Sequence, residues 1–369
     1  MKKIILILLS VFSISTCTSE AEVIIADKKD EGKDDTLTVV DNRRFVSAMG
    51  VGWNLGNYFD VTDKDKTVWG NPHPTDKMID FVSDSGFKTL RVPITWGYNI
   101  SRYPEYKIEE DYFKRIEKVV NRALSNGMYV IINIHHDEAL ICPTKDRYEK
   151  SAVAVEKIWT QVANRFKNAD DKLIFEHLNE MRVKGDANEW NGGKKEHREY
   201  LNKFHEIALR AIRTSGGNNA TRKVMITPYG GSCSPDAIDE LVIPKDKNIL
   251  ISLHSYSPYK FAMQGDGHTT RWGSEEDKIN MKNDIAGLAA KLKAKGCTIV
   301  MGEWGSLHRN NSADRERHAA FFTKCCLENN ICPIVWDDGA TSNFGLMDRP
   351  AEKWHHKGVI DAIIGAYNN

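Results

Sequence analysis

The sequence lacks an excess of charge of either sign. Lysine plus arginine and aspartate plus glutamate each number 51 among 369 residues, so the formal net charge is zero. Proteins that bind nucleic acid are usually clearly basic, and we therefore expect no nucleic-acid partner. Hydrophobic residues at 41% and charged residues at 28% are ordinary globular values, which exclude a fibrous or wholly disordered chain.

Common metal-site and nucleotide-site patterns are also absent. The chain has seven cysteines but no Cys-x-x-Cys pair, which argues against a zinc ribbon or a thioredoxin motif. The segment Gly50-Val51-Gly52-Trp53-Asn54-Leu55 lacks the third glycine of a dinucleotide-binding loop. We therefore expect no cofactor and no metal. We predict that most of the cysteines after Cys17 are buried as small hydrophobic residues.

Long apolar runs are missing except at the N-terminus. Lys2 and Lys3 precede an apolar run that extends from Ile4 to Phe12 and leads to Cys17. This N-terminal run is too short to span a bilayer, and no later run reaches ~18 apolar residues. Residues 1–17 fit a lipoprotein-type signal peptide. We predict lipidation of Cys17, with ordinary signal cleavage as the alternative. The protein is then a cell-surface or periplasm-facing lipoprotein, otherwise secreted, and it meets a membrane only through the anchor.

Behind a polar linker over residues 18–36, the rest of the chain alternates β-rich runs with helical patterns. Eight such units, without a composition shift or an internal repeat, predict a single (β/α)8 TIM-barrel catalytic domain over residues 37–369. The eight predicted strands are Ala48–Leu55, Thr89–Ile94, Tyr129–Ile134, Leu173–His177, Val224–Thr227, Ile249–Leu253, Thr298–Met301 and Ile334–Trp336. The main predicted helices are Thr75–Ser85, Glu109–Ser125, Glu149–Phe166, Glu196–Thr214, Glu276–Lys295 and Ala313–Asn329, with short ones after Pro235 and before Ala366.

Ionisable and aromatic residues follow seven of these eight strands, where barrel enzymes place their active sites. Glu180 and Glu303 end two different strands, and Arg91, His135 and Tyr256 end three others. Two carboxylates at one barrel mouth are what glycoside hydrolysis needs, because one donates a proton and the other attacks or activates water. We therefore predict an active site built around Glu180 and Glu303.

Several short motifs around these residues, in this order, resemble glycoside hydrolase family 5, most closely its endoglucanase-rich fourth subfamily. They are Gly52-Trp53-Asn54-Leu55-Gly56-Asn57, Arg91-Val92-Pro93, Ile134-His135-His136, Asn179-Glu180, His254-Ser255-Tyr256, Gly302-Glu303-Trp304-Gly305 and Trp336-Asp337-Asp338-Gly339. The departures are Trp304 and Asp337-Asp338, which affect the shape of the sugar subsites rather than the chemistry.

The resemblance implies a role for each matching residue. Glu180 corresponds to the acid/base, Glu303 to the nucleophile, and Asn179 to the residue that binds the sugar 2-hydroxyl. The implied supporting residues are Arg91 and Tyr256 beside the nucleophile, His135 and His254 in the cleft, and Trp336 under the sugar. Three further substrate-binding or supporting candidates are His136, Asn57 and Trp96. For Trp96, stacking on sugar and packing in the core both remain open.

The expected activity is that of a retaining endo-β-1,4-glucanase, a monomer whose partner is a β-glucan. The alternatives within the family are a mixed-linkage glucanase, a xyloglucanase and a mannanase. An alternative from another class is a non-catalytic glycan-binding surface lipoprotein, against which the presence of both Glu180 and Glu303 argues. A metal-dependent hydrolase could use His135-His136-Asp137-Glu138, but such enzymes typically carry His-x-His after strand one, and this chain does not.

Overall fold

The computed structural model describes residues 41–62, 69–263 and 267–369. The predicted signal peptide, Cys17 and the linker lie outside these ranges. Eight parallel strands pair in sequence order and close into a barrel, because β8 pairs with β1. The predicted (β/α)8 TIM barrel is therefore confirmed. The strands are β1 Gly52–Asn54, β2 Thr89–Val92, β3 Tyr129–Asn133, β4 Leu173–Glu176, β5 Val224–Ile226, β6 Ile249–Ser255, β7 Ile299–Trp304 and β8 Cys332–Val335.

Helices surround the barrel and agree with the predicted ones to within about a turn. After α1 at residues 41–49, they are α2 Asp76–Asp84, α3 Glu110–Ser125, α4 Tyr148–Arg165, α5 Lys195–Thr214, α6 Pro235–Asp239, α7 Tyr259–Ala262, α8 Glu275–Ala294, α9 Ser312–Glu328 and α10 Lys357–Asn368. Short 3-10 turns cover Gly217–Ala220 and Tyr229–Gly231, and β9 Met347–Asp348 pairs with β10 Lys353–Trp354.

Local sequence explains where the helices begin and end. The Thr75 side chain accepts a hydrogen bond from the amide of Met78, and Ser274 forms a capping box with Asp277. Gly127 and Gly296 follow α3 and α8 with positive φ angles of 76° and 74°. This left-handed conformation favours glycine, as predicted for these helix ends.

Helix α1 closes the bottom of the barrel. It includes residues that were predicted to belong to the first strand. Ala48 and Met49 were expected in the first strand, but they are the last residues of α1. Val46 and Met49 pack against inward-facing residues at the N-terminal ends of the strands, which explains why this apolar stretch is helical. Their buried partners are Ile131, Ile174, Met225, Leu250, Val300, Cys332 and Ile334.

The six cysteines in the described ranges are free thiols. Five are buried, as predicted, and Cys233 is partly buried. Burial raises the pKa of the Cys332 thiol to about 12, so this thiol is protonated and unreactive. None of the helices in the described ranges has the length and apolar character needed to cross a membrane.

Candidate active site

Arg91 on β2 is the centre of the hydrogen-bond network at the C-terminal ends of the strands. It is fully buried and donates from Nε to Glu176 Oε2 at 2.8 Å and from Nη2 to Asn179 Oδ1 at 2.7 Å. Its Nη1 donates to Glu303 Oε1 at 2.8 Å and to Asn54 Oδ1 at 2.9 Å. Burial alone would lower the pKa of Arg91, but the two carboxylates raise it, so the guanidinium stays charged.

Glu303 on β7 is held at both of its carboxylate oxygens. Besides Arg91 at Oε1, the Tyr256 hydroxyl donates to Oε2 at 2.9 Å. Burial first, and then the charge of Glu303, hold the pKa of Tyr256 well above its usual range, so this hydroxyl keeps its proton. The two donors orient a buried carboxylate whose negative charge Arg91 compensates.

Glu180, which follows β4, lies against His254 at the end of β6. His254 Nδ1 is 2.9 Å from Glu180 Oε1 and 3.7 Å from Glu303 Oε2. Burial opposes charge on both groups, but the negative charge of Glu303 and the contact with Glu180 raise the pKa of His254. The contact with His254 likewise lowers the pKa of Glu180 against the effect of burial. The imidazole therefore touches both carboxylates at once.

The two carboxylates are close together. One oxygen of Glu180, one oxygen of Glu303 and a ring nitrogen of His254 all lie within 4.8 Å of one another. The chain therefore brings the two glutamates of the predicted pair to one point of the barrel mouth, although they are 123 positions apart in the sequence.

Asn179 and His135 are oriented by neighbours that fix which atoms they present. Asn179 Oδ1 accepts from Arg91, so its Nδ2 is the donor side of the amide, and this nitrogen lies 3.4 Å from His135 Nε2. Asn133 Oδ1 accepts from the amide of Ile94, so its Nδ2 donates to His135 Nδ1 at 3.1 Å. Burial, followed by nearby positive groups, lowers the pKa of His135 well below its usual value. His135 is therefore neutral, with Nδ1 facing Asn133 Nδ2 and Nε2 3.4 Å from Asn179 Nδ2.

Trp336, directly after β8, lies parallel to the ring of His135. The ring centroids are 5.9 Å apart and the ring planes differ by 5°. Gly56 lets the indole approach the chain, because a Cβ at this position would lie 2.7 Å from ring carbons of Trp336. Trp336 is partly exposed, as a platform for a sugar requires.

Three other predicted site residues lie outside the hydrogen-bond network around Arg91. Trp96 is 1% exposed and donates its indole N–H to the carbonyl of Asn133, so of the two interpretations left open the structure favours packing in the core, from where Trp96 supports the site. Asn57 is in the left-handed region, with φ 57°, and its carbonyl accepts from Asn71. His136 is partly buried, 3.8 Å from Glu138. Burial lowers the pKa of His136, but the carboxylates of Glu138 and Asp60 raise it more.

The structure adds residues that the sequence reasoning missed. Glu176 is fully buried inside the barrel and accepts from Arg91, from Asn133 at 3.0 Å and from Ser252 at 2.6 Å. Asn54 is also fully buried and accepts from Arg91. An acidic residue within an apolar strand was the available signal for Glu176, because such a residue needs a buried partner.

Two groups among the described residues have ligand atoms close enough for a metal ion. They are Asp60, His135 and His136, and Glu180, His254 and Glu303. In the first group both ring nitrogens of His135 already face side-chain amides, Nδ1 at 3.1 Å from Asn133 Nδ2 and Nε2 at 3.4 Å from Asn179 Nδ2. In the second group the carboxylates are bound by Arg91, Tyr256 and His254. This donor set fits proton transfer better than metal binding.

A closed (β/α)8 barrel with two neighbouring glutamates at its mouth is the architecture of a glycoside hydrolase. Residues 52–342 match the family model described as Cellulase (glycosyl hydrolase family 5), and the chain belongs to this family. The predicted family is therefore confirmed.

Characterised relatives agree with this assignment. The chain is 37% identical to Endoglucanase A of Clostridium longisporum over 340 residues, which cover 88% of this chain and 65% of that protein, so the chain spans about two thirds of that relative. ZgEngAGH5_4, solved in complex with a cellotriose, is 44% identical with a TM-score of 0.86, covering 88% of this chain and 98% of that one. The GH5-4 broad specificity endoglucanase from Clostridium acetobutylicum is 38% identical with a TM-score of 0.85, covering 88% and 99%.

Proposed function

We propose that the protein is a retaining endo-β-1,4-glucanase, with Glu303 as the nucleophile and Glu180 as the acid/base. The observation that carries this proposal is the spacing of the two carboxylates, which have oxygens within 4.8 Å of each other. Retaining glycosidases hold their carboxyl groups about 5–5.5 Å apart, whereas inverting enzymes need about 6.5–9.5 Å to admit a water. The close approach of the two carboxylates in this chain supports the first class.

In the first step Glu303 attacks the anomeric carbon while Glu180 protonates the glycosidic oxygen. Arg91 and Tyr256 hold the attacking carboxylate in position through one hydrogen bond to each of its oxygens. Glu180 and His254 share one proton across their 2.9 Å contact. In the free enzyme this proton lies on the imidazole, since the pKa of His254 is raised and that of Glu180 is lowered. A sugar that covers the pair removes water and favours the neutral form, which places the proton on Glu180.

In the second step water hydrolyses the glycosyl-enzyme, and Glu180 takes its proton. The ester bond removes the negative charge of Glu303, which was raising the pKa of His254. The loss of a nearby negative charge also makes ionisation of Glu180 easier, so Glu180 is ready to act as the base. Asn179 Nδ2, which lies 3.4 Å from His135 Nε2, binds the 2-hydroxyl of the sugar in this proposal, and Trp336 provides the surface under the ring.

Cellotriose in the ZgEngAGH5_4 structure supports a β-1,4-glucan as the substrate of this chain. A second candidate, activity on several β-glucans, is favoured by the name of the broad specificity relative from Clostridium acetobutylicum. Initial rates on carboxymethylcellulose, mixed-linkage β-glucan, xyloglucan, mannan and xylan separate these possibilities. A chain that is inactive on every member of this panel is not the proposed enzyme.

The same preparation tests the mechanism. Proton NMR of the first product should show the β-anomer before mutarotation, whereas a first-formed α-anomer would mean inversion. Activity should be unchanged after dialysis against a chelator, because no step uses a metal. Loss of activity on chelation, with recovery on adding a divalent ion, would favour the metal-dependent alternative.

We also propose that the protein is exported and anchored through a lipid on Cys17. The support is the basic and apolar segment before Cys17 and the polar linker after it. A single acyl chain binds membranes only weakly, so stable anchoring requires more than one chain on this residue. The barrel domain then acts as a monomer on polysaccharide outside the cell.

A further inference from the structure

Glu176, the last residue of β4, is a buried carboxylate separate from the proposed catalytic pair. No part of its side chain is exposed. Arg91 Nε at 2.8 Å and Asn133 Nδ2 at 3.0 Å donate to its Oε2, and Ser252 Oγ at 2.6 Å donates to its Oε1. Both oxygens therefore serve neighbours from β2, β3 and β6, and Glu176 acts on these neighbours rather than on a substrate.

The hydroxyl of Ser252 has room beside Glu176 because Gly302 lies opposite. A Cβ at Gly302 would be 2.7 Å from Ser252 Oγ, too close for two atoms that are not bonded. Ser252 is fully buried, so its hydroxyl is shielded from solvent and donates to Glu176. The carboxylate is thus held from β6, independently of Arg91.

The contact with Glu176 determines which nitrogen of Arg91 meets Glu303. Arginine and a carboxylate frequently pair through two parallel hydrogen bonds. Here Glu176 takes Nε and Asn179 takes Nη2, so only Nη1 donates to Glu303 Oε1. Glu303 Oε2 accepts from the Tyr256 hydroxyl instead. The nucleophile is therefore held by two single hydrogen bonds from different parts of the barrel.

We propose that Glu176 is a positioning residue for the nucleophile. By holding the Nε edge of Arg91, it keeps the guanidinium from turning a two-nitrogen fork towards Glu303. A carboxylate bound by such a fork has both oxygens tied to one cation and attacks the anomeric carbon less readily. Glu176 also binds the amide of Asn133, whose Nδ2 is 3.1 Å from His135 Nδ1, so it orients a second residue of the cleft. This inference rests on the proposed function and deepens it.

The test removes the charge of Glu176 and keeps its shape. In Glu176→Gln the amide oxygen can accept from Arg91 and Asn133, and the amide nitrogen can donate to Ser252 Oγ, because a hydroxyl also accepts. The reaction measured is inactivation by a dinitrophenyl 2-fluorocellobioside. In this reaction Glu303 forms a bond to the anomeric carbon, and dinitrophenolate leaves with the bonding electrons and needs no proton.

The inactivation rate constant of Glu176→Gln should fall about tenfold, since hydrogen bonds to an ionised acceptor are roughly twice as strong as those to a neutral one. The dissociation constant of the reagent should stay within about twofold of wild type, because Glu176 does not contact the sugar.

A second reaction separates positioning from damage to the fold. In Glu303→Ala, azide attacks the anomeric carbon of an activated aryl cellobioside in place of the missing carboxylate. Adding Glu176→Gln to this variant should leave the azide rate within about twofold, because no nucleophile remains to be positioned. Damage to the fold would lower the azide rate as well.

The matched control is Asp246→Asn, in the loop before β6. Asp246 also faces an arginine, since Arg213 Nε donates to its Oδ2 at 2.7 Å, but it lies at the N-terminal end of the barrel. Its inactivation rate constant should equal that of wild type. A wild-type rate constant in Glu176→Gln would overturn the inference, and so would equal losses in the inactivation and azide reactions. Wild-type protein that is not inactivated and cleaves no β-glucan would contradict the proposed function itself.

Discussion

Arg91 gathers oxygens from β1, β4 and β7 and from the residue before Glu180 around one buried cation. Removing it would leave the carboxylates of Glu176 and Glu303 buried without their charge partner. Such a loss commonly costs about 3–5 kcal/mol, so Arg91 contributes to the stability of the barrel as well as to the position of Glu303.

Replacing Glu180 or Glu303 by alanine should impair different steps of the reaction. On an activated aryl glycoside, Glu180→Ala should keep the first step and slow the second, giving a burst, because the leaving group needs little protonation while water lacks its base. The loss should be about 10²–10⁴-fold, and azide should restore turnover with a β-configured product.

For Glu303→Ala no glycosyl-enzyme can form, so we expect no burst and, with azide, an α-configured product. Rapid-quench kinetics and NMR of the azide adduct provide the measurements. Exchanged behaviour of the two variants would reverse the assigned roles, and nearly full activity of both on polysaccharide would mean that the site lies elsewhere.

The proton shared by Glu180 and His254 should set the alkaline limb of the pH profile. The pKa of His254 is raised, so the pair loses this proton, and the enzyme its acid, as the pH rises through that value. In His254→Asn the proton can lie only on Glu180. Burial raises the pKa of this carboxyl, but the ordinary pKa of a carboxyl is lower than that of an imidazole. We expect the alkaline limb of kcat/KM on cello-oligosaccharides to move down by about one pH unit.

The matched control for this shift is His268→Asn, which changes an exposed histidine and should leave the limb in place. An alkaline limb that is identical in wild type and His254→Asn would show that another group supplies the proton.

At the scale of elements, Arg222 joins the end of α4 to the start of β4. It is 1% exposed and donates to the carbonyl oxygens of Phe166, Ala169, Asp170 and Leu173 at 2.7–3.2 Å. Its Nε donates to Asn219 Oδ1 at 2.6 Å. Burial lowers the pKa of Arg222 to about 10, which still leaves it charged at neutral pH.

Arg222→Met should therefore destabilise the fold strongly, because the buried carbonyl oxygens lose their donor. We expect a loss of about 3 kcal/mol or more in the free energy of unfolding, read from urea denaturation. Arg210→Met, on the exposed face of α5, should stay within about 0.5 kcal/mol of wild type. Equal midpoints for the two variants would contradict this role.

Most strands and helices could be predicted from the sequence because apolar runs alternate with amphipathic segments along the chain. Residues 48–49 were misassigned, since an apolar residue that plugs a barrel looks like one in a strand. Glu180 and Glu303 were found because they lie at the C-terminal ends of predicted strands. Glu176 was missed because its partners come from other strands, and Trp96 was undecided because sequence alone does not give exposure.

At the scale of the whole molecule, the lipid anchor is the prediction that decides where the enzyme works. Full-length protein expressed in a bacterial host should partition into the detergent phase, because acyl chains on Cys17 are apolar. Cys17→Ser should move it to the aqueous phase without changing activity on soluble substrate. If both forms remain aqueous, Cys17 carries no lipid.

Helix α1 would give an enzyme tethered through Cys17 a fixed direction. Asn42 on α1 donates to the carbonyl of Ile249, the first residue of β6, so the described part of the chain starts at the end of the barrel opposite to the cleft. The 23 residues between Cys17 and α1 reach at most about 80 Å. An anchored enzyme would thus stand on its closed base and face outward, towards insoluble polymer that cannot come to the cell.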